Sequence, residues 1–374
     1  RGPCTQEEPE LAPVRVRAVT MSTAIVIPAF NTQDALSRLL GEIPESMHSD
    51  VIIVDDNSKD GTIELVADRD EPWVRLITRT SERGLSSAVI RGLEEARHDV
   101  LVVMDADGSH PASSIPDMEQ ALAAGADFTL GSRYIAGGST EDGWGVLRWI
   151  NSKVATLMAR PFTKVLDPMS GFIGIERATW ERAAQLDPIG YKIGLELIVK
   201  CRCTNVVEVP IHFSTRRHGE SKLSLKVQWQ YLVHIVRLAR FKYPRLSSFI
   251  PFACVGASGM AVYAGLLALL DVMAGTVADT WIRILVAVLL TMTWNFLWDR
   301  RLAFWDAKPV SIARQYAGFV VVCSIPVLVT FFVTWYYSDK VVLPLAGVIG
   351  SAIGSALGLL FNWGVNRLVV FKRG

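Results

Sequence analysis

The stretch Val102-Val103-Met104-Asp105-Ala106-Asp107-Gly108-Ser109-His110-Pro111 decides the fold, because an apolar run stops abruptly at two carboxylates. This is the pattern of a buried parallel strand that delivers acidic side chains to a ligand crevice beyond its carboxyl end. Asp105 and Asp107 stand at i and i+2, so a strand end or the turn after it aims both at one point, where they repel each other or share a cation. Two carboxylates leave coordination positions open, which suits Mg2+ or Mn2+ holding a substrate diphosphate better than a closed structural site. A solvated Asp-x-Asp-Gly turn is the plainer alternative, and the motif alone does not separate the two.

The same pattern recurs upstream. Ala24-Ile25-Val26-Ile27-Pro28 reads as a buried strand, with a polar turn at Asn31 and a helix from Asp34 to about Gly41. Val51-Ile52-Ile53-Val54 ends at Asp55-Asp56-Asn57-Ser58, and Asp60-Gly61-Thr62 opens the next helix. Val74 to Ile77 is a third strand, and a helix from Leu85 to Arg97 leads into the fourth. Strands without polar alternation, separated by helices, predict an α/β fold with a mostly parallel sheet covered on both faces. Polar clusters close three strands, at Pro28-Ala29-Phe30-Asn31, Asp55-Asp56-Asn57-Ser58 and Asp105-Ala106-Asp107. The chain carries no Gly-x-Gly-x-x-Gly after its first strand and no Gly-x-x-x-x-Gly-Lys, so neither a dinucleotide fingerprint nor a P-loop is predicted. Acidic strand ends with a metal pair fit a nucleotide-sugar, Asp55 accepting hydrogen bonds from base or ribose.

Composition divides the chain. Its 374 residues are 50% hydrophobic, with a mean hydropathy of +0.29, and the excess lies beyond about Leu246. A net charge of +1 without a clustered basic face speaks against nucleic acid. The five cysteines lack zinc-finger spacing and fit a reducing compartment. Residues 1–20 contain no apolar core, so they read as a disordered tail or an appended remnant rather than a signal peptide. The expected domains are 21–220 for the α/β unit, 221–246 for juxtamembrane helices and 247–374 for a membrane domain.

Further segments add to the first ones: Glu82-Arg83-Gly84-Leu85-Ser86-Ser87-Ala88, Gly131-Ser132-Arg133-Tyr134, Asp167-Pro168-Met169-Ser170-Gly171-Phe172 and Arg217-His218-Gly219-Glu220-Ser221-Lys222-Leu223. Together with the strand ends, over about residues 23–225, they resemble the family-2 glycosyltransferases of GT-A fold, and among these the polyprenol (dolichol) phosphate mannose synthases. The resemblance implies transfer from GDP-mannose to a polyprenyl phosphate. It assigns the donor to Pro28, Ala29, Asn31, Asp55, Asp56, Arg83, Gly84, Ala106, Arg217 and Lys222, and the metal, Mg2+ or Mn2+, to Asp105, Asp107 and Ser109. It gives the acceptor to Arg133, Arg148 and Ser152, with Asp107, Arg133 and Arg148 acting in catalysis. Two positions depart from the family pattern: Thr32 stands where Glu often follows the first-loop Asn, and Ser109 where many members have Gln. Arginine forks suit a phosphate, and Arg148 and Ser152 at i, i+4 share a helix face. A phosphate acceptor is itself the nucleophile, so the reaction expected is an in-line attack that inverts the anomeric centre and needs no general base. The loop with Arg216, Arg217 and Lys222 is expected to close over the diphosphate, and His110 to shape its loop or bind phosphate.

Val146, Ile150, Val154 and Leu157 recur at helical spacing near Trp144 and Trp149, as in a core helix or one lying on a membrane. Leu225, Trp229, Leu232, Val236 and Ala239 form a second stripe among Lys222, Lys226, Arg237, Arg240 and Lys242, the pattern of an interfacial anchor. Four apolar segments follow, near 249–270, 281–298, 317–337 and 341–365. Asn295 to Phe304 aligns with Asn362 to Phe371, which predicts two hairpins related by a repeat that touch through Asn295 and Asn362. Arg300, Arg301, Lys308, Arg314, Arg367, Lys372 and Arg373 fall on the side of the α/β domain, so that domain is expected in the cytoplasm. This half resembles the GtrA-like membrane domains. Oligomeric state is left open. The competing readings are a UDP-glucose-dependent glucosyltransferase acting on the same acceptor and a lipid-linked sugar transporter. A processive polysaccharide synthase lacks its expected Gln-x-x-Arg-Trp around Gln228-Trp229-Gln230.

Overall fold

The computed structural model describes residues 22–43, 50–140, 146–190, 192–214, 225–274, 280–337 and 358–372. The predicted tail, the basic loop with Arg217 and Lys222, Trp144 and most of the fourth apolar segment lie outside the described residues. The chain falls into two compact units, Arg1–Leu238 and Ala239–Gly374.

In the first unit the order is β1 (Thr23–Ala29), α1 (Gln33–Glu42), β2 (Val51–Asp55), α2 (Thr62–Ala67), β3 (Val74–Thr78), α3 (Leu85–Glu95), β4 (Val100–Val103), α4 (Ile115–Ala123) and β5 (Phe128–Ser132). Then come β6 (Ser139–Thr140), α5 (Val146–Ala159), β7 (Ile173–Glu176), α6 (Arg177–Trp180), α7 (Ile193–Lys200), β8 (Val206–Pro210), β9 (His212–Phe213) and α8 (Leu225–Lys242). Seven strands form one sheet in the order β3-β2-β1-β4-β7-β5-β8, and β6 pairs with β9 apart from it. The pleat sends Ile25 and Ile27 into one layer with Leu36, Leu39 and Met118, and Ala24 and Val26 into the other with Val89, Leu93 and Leu197. Both faces are therefore covered, which is why these strands read as unbroken apolar runs.

One strand departs from the parallel pattern. β7 runs antiparallel between β4 and β5, with Val103 opposite Ile173 and Leu130 also opposite Ile173. A four-residue strand buried on both faces carries no mark of its direction in its sequence.

α8 packs through a face other than its predicted apolar stripe. Its packed face is Tyr231, His234 and Leu238, all buried, and the Tyr231 hydroxyl donates to the Ala155 carbonyl of α5 at 2.8 Å. The predicted stripe of Trp229, Leu232 and Val236 points away and stays exposed. Ile150, Val154 and Leu157 of the neighbouring α5 are exposed as well, so two adjoining helices present apolar faces outward.

The second unit holds α9 (Leu246–Ala274), α10 (Thr280–Leu302), α11 (Ile312–Tyr337) and a closing helix, residues 358–365, that ends in a π-helical turn, Asn366–Val370. Among the described residues, Leu246–Met273 and Ile282–Leu302 are long and apolar enough to cross a membrane, and Ile312–Pro326 is a shorter apolar helix. Phe252, Phe296, Phe304, Phe319 and Phe371 form its core. The predicted repeat is visible in the contacts: Phe249 meets Trp363 edge to face at 5.5 Å, and their counterparts 67 positions on and back, Tyr316 and Phe296, do the same at 5.2 Å. The contact expected between Asn295 and Asn362 is not what joins the hairpins. Asn295 lies instead against Gly259 of its own hairpin, where a Cβ would sit 2.3 Å from its Oδ1, and the aromatic core makes the connection.

Candidate active site

The sheet order makes β2, β1 and β4 neighbours, so the three polar strand ends predicted from the sequence come together at one edge. Ala29 pairs with Asp55, the Asp56 N–H donates to the Ala29 carbonyl at 3.0 Å, and the Met104 N–H to that of Val26 at 3.1 Å. Pro28 and Ala29 close β1, and Ala106 is buried between the two motif carboxylates of the β4 end.

Asp55 is fully buried and organises its own loop. Its two oxygens accept from the Ser58 N–H (2.8 Å) and hydroxyl (2.5 Å). Ser58 in turn receives the Asn31 N–H at 2.8 Å, and the Asn31 side chain accepts from the Lys59 N–H at 2.9 Å. Asn31 and Asn57 both adopt positive φ, at 51° and 61°, a conformation Asn tolerates better than most residues. The first two strand ends are thus tied into one rigid rim.

Asp56 does the same for the Arg83-Gly84 segment through a residue that sequence reasoning missed. Arg79, buried after β3, donates through Nε to Asp56 Oδ1 at 2.7 Å and also through Nη2. The Gly84 N–H donates to Asp56 Oδ2 at 2.8 Å, while Arg79 Nη2 donates to the Gly84 carbonyl at 3.0 Å. Both polar groups of Gly84 are therefore held by one ion pair, at a φ of +141° that favours glycine. This sets the start of α3 and lays the Arg83 guanidinium over the Phe30 ring, 5.3 Å from its centroid. An arginine five residues before a Gly gives no sequence signal of such a pairing.

At the β4 end, Asp105 and Asp107 are partly exposed. Asp107 Oδ1 accepts the Ser109 N–H at 3.0 Å and the Ser109 hydroxyl, so the buried Ser109 orients Asp107 by pointing its proton at it. His110 is also buried: its Nδ1 accepts the Asp105 N–H at 3.0 Å, and its ring stacks on Phe172 at 5.1 Å. His110 thus shapes the loop. The described residues hold no cluster of three or more His, Cys, Asp or Glu placed to bind a metal. Two partly exposed carboxylates nevertheless fit an ion of the Mg2+ type, which takes one or two protein carboxylates and completes its shell with water and phosphate oxygens.

Arg133, just past β5, is committed to a partner that its sequence position conceals. Its Nε and Nη2 each donate to Asp167 at 2.7 Å, and its backbone N–H adds a bond at 3.2 Å. Burial works against the guanidinium charge, but the hydrogen bonds and charge of Asp167 prevail and raise its pKa further. Asp167 is itself fixed by an N–H bond to Glu208 at 3.0 Å, and Arg133 lies over the rings of Phe213 (5.0 Å) and Tyr134 (5.4 Å). Tyr134 shares a 2.8 Å hydrogen bond with Ser152 on α5, and Lys153 Nζ sits 4.9 Å from the Tyr134 ring centroid. Beside them is a cavity of about 240 Å³ lined by Tyr134, Lys153, Thr156, Leu157, Arg160 and Leu166. Arg148 is on α5, one turn before Ser152, and its side chain lies outside the described residues. The structure therefore joins Arg133 and Ser152 through Tyr134, and adds Lys153 and Arg160, which the motif search did not single out.

Residues 24–182 match the family model for glycosyl transferase family 2, and residues 251–371 that for the GtrA/DPMS transmembrane domain. A dolichol-phosphate mannosyltransferase of Pyrococcus furiosus is 35% identical over 94% of this chain and 99% of its own. One from Mycosarcoma maydis is 42% identical over 60% of this chain and 81% of its own. Among solved structures, glucosyl-3-phosphoglycerate synthase from Mycobacterium tuberculosis aligns at a TM-score of 0.46 and 17% identity, over 60% of this chain and 80% of that one.

Proposed function

We infer that this chain, which belongs to the dolichol-phosphate mannosyltransferase group of glycosyl transferase family 2, is a membrane enzyme that transfers mannose from GDP-mannose to a polyprenyl phosphate. The observation that carries the reading is the meeting of the three strand ends, Ala29, Asp55 and Asp105 to Asp107, at one edge of the sheet, together with likeness to a dolichol-phosphate mannosyltransferase along almost the whole chain.

In this reading the nucleotide lies on the rim formed by Pro28, Ala29, Asn31 and the loop that Asp55 anchors. Asp56, through Arg79, holds Gly84 so that Arg83 faces the donor, and Ala106 closes the floor. Asp105 and Asp107 would hold Mg2+ or Mn2+, whose chemistry is to neutralise the diphosphate leaving group. Ser109 keeps Asp107 turned toward the site. Arg217 and Lys222 are assigned to the same diphosphate from the loop that follows.

Arg133, Arg148 and Ser152 position the acceptor phosphate. Arg133 is held rigid by Asp167, so its guanidinium meets the phosphate without first losing side-chain freedom. The phosphate oxygen attacks the anomeric carbon opposite the leaving diphosphate, giving a β-linked product from an α-linked donor. An anionic nucleophile needs alignment and charge control, which these arginines supply, and no proton has to be removed from it. The exposed apolar faces of α5 and α8 rest against lipid, from which the polyprenyl chain enters. The α/β unit faces the cytoplasm, a placement supported by Arg300, Arg301, Lys308, Arg314, Arg367 and Lys372 at one set of helix ends.

The test is to incubate membranes containing the full chain with radiolabelled GDP-mannose or UDP-glucose, a polyprenyl phosphate, and Mg2+ or Mn2+. A lipid-soluble mannose product is expected with GDP-mannose. Intact protein that yields no such product overturns the reading, and a glucose product in its place reassigns the donor.

A further inference from the structure

The second unit contains a basic pocket to which glycosyl transfer assigns no task. It has a volume of about 420 Å³ and is lined by Arg245, Trp363, Gly364, Arg367, Leu368 and Lys372. These residues lie where α9 begins and the closing helix ends. Three cations face one carboxylate: Arg367 is held by Asp306 through Nη1 and Nη2, both at 2.5 Å. Arg245 and Lys372 have no carboxylate partner among the described residues.

The walls are rigid. The Trp363 indole N–H donates to the Ser248 hydroxyl at 3.2 Å, and its ring meets Phe249 edge to face. Arg367 spends two of its five N–H donors on Asp306, which fixes its fork and leaves three for a ligand. The helix is π-helical from Asn366 to Val370, with the Phe371 N–H bonded to the Asn366 carbonyl at 2.8 Å. Such turns widen a helix and concentrate at functional positions. On the outer side, Leu368 is 73% and Val369 59% exposed, an apolar flank next to the cations.

The repeat supplies a control. At the same offset of 67 positions, Arg245 maps forward onto Ile312, while Trp363, Arg367 and Lys372 map back onto Phe296, Arg300 and Trp305. The counterpart position thus keeps one cation of three, and Trp305 there is covered by the Arg240 guanidinium, 4.8 Å from its centroid. Packing of the helices therefore does not require a cation at the positions of Arg245 and Lys372. A pocket with excess positive charge, an aromatic wall and an apolar flank at the end of membrane helices matches a lipid whose head carries a phosphate anion.

We propose that the pocket of Arg245, Trp363, Arg367 and Lys372 binds the phosphate head of an anionic membrane lipid. Its ligand is an anionic phospholipid or a polyprenyl phosphate. The experiment uses the delipidated full chain in detergent, titrated in native mass spectrometry with phosphatidylglycerol, undecaprenyl phosphate or zwitterionic phosphatidylcholine. Retention of either anionic lipid above phosphatidylcholine is expected, and R245Q/K372Q should lower it roughly tenfold or more. R314Q, which removes a charge at the same end outside the pocket, should leave retention unchanged. R245K/K372R, which keeps the charge, should largely restore it and covers the case that the neutral double variant misfolds. Retention of phosphatidylglycerol identifies a phospholipid site, and retention of undecaprenyl phosphate alone identifies a site for the polyprenyl phosphate class. Equal retention of phosphatidylcholine, or no loss in R245Q/K372Q, overturns the proposal.

Discussion

Phe304 and Phe371 lie face to face, with ring centroids 4.5 Å apart and planes 8° from parallel. They are also the same position of the repeat, 67 residues apart, so each ring packs on its own counterpart, as happens where a local two-fold axis relates two repeated segments. Their neighbours obey the same relation. Phe252 packs on Phe304 at 5.9 Å and Phe319 on Phe371 at 6.2 Å. The Phe304 N–H bonds the Asp299 carbonyl at 2.8 Å, and the Phe371 N–H bonds that of Asn366 at 2.8 Å.

Replacing either ring should therefore cost the same. F304A and F371A are each expected to destabilise the second unit by about 3 kcal/mol or more, as for a buried aromatic. The double variant should cost less than the sum, with a coupling of about 1 kcal/mol. Unfolding of the full chain in detergent measures all three, and strict additivity would show that the stack contributes nothing of its own.

D105N and D107N, on the proposed roles, should each lower turnover about 100-fold or more while leaving the melting temperature close to that of the parent. Chelation of divalent cations should abolish transfer, and Mg2+ or Mn2+ should restore it. S109A keeps both carboxylates and is expected to retain part of the activity with weaker metal activation.

On the donor site proposed above, the Asp56–Arg79 pair predicts a donor-specific defect. R79K cannot make the fork that holds Gly84 from both sides, so the KM for GDP-mannose should rise about tenfold with a smaller change in kcat. KM for the acceptor should stay put. A uniform fall in kcat with unaltered KM would show that Gly84 does not set donor binding.

D167N makes the complementary prediction on the acceptor side. Loss of the charge that fixes Arg133 should raise the KM for polyprenyl phosphate and leave that for the donor unchanged. It should also destabilise the first unit by about 3 kcal/mol, because a buried guanidinium loses its partner.

His234 predicts a dependence on pH. Its ring is buried between α7, α8 and the loop before α7, with Nε2 3.4 Å from Glu196 Oε2 and Lys200, Asp187 and Arg237 nearby. Burial, aided by the charges of Arg237 and Lys200, lowers its pKa from 6.5 to about 4. The folded chain therefore resists a proton that the unfolded chain accepts. Stability should be full above pH 6.5 and fall as pH drops toward 4, by roughly 1.4 kcal/mol per pH unit at most. Glu196, whose pKa burial raises, contributes with the opposite sign. H234Q should flatten the acid limb of a melting curve followed against pH, and an unchanged limb would assign it to other groups.

The strand ends and the repeat were legible in the sequence. Each is a pattern of neighbours along the chain: unbroken apolar runs that stop at Asp55 or Asp105, and Asn, Arg and Phe at the same offsets from 295 and from 362. The direction of β7, the exposed side of α8's apolar stripe, the fork of Asp167 on Arg133 and the hold of Arg79 on Gly84 were decided only by the tertiary structure. These depend on which way a strand enters the sheet and where a side chain points once the chain has folded. No local period records such information, since Arg133 and Asp167 lie 34 residues apart and become partners only when β5 and the loop before β7 close on the same buried space.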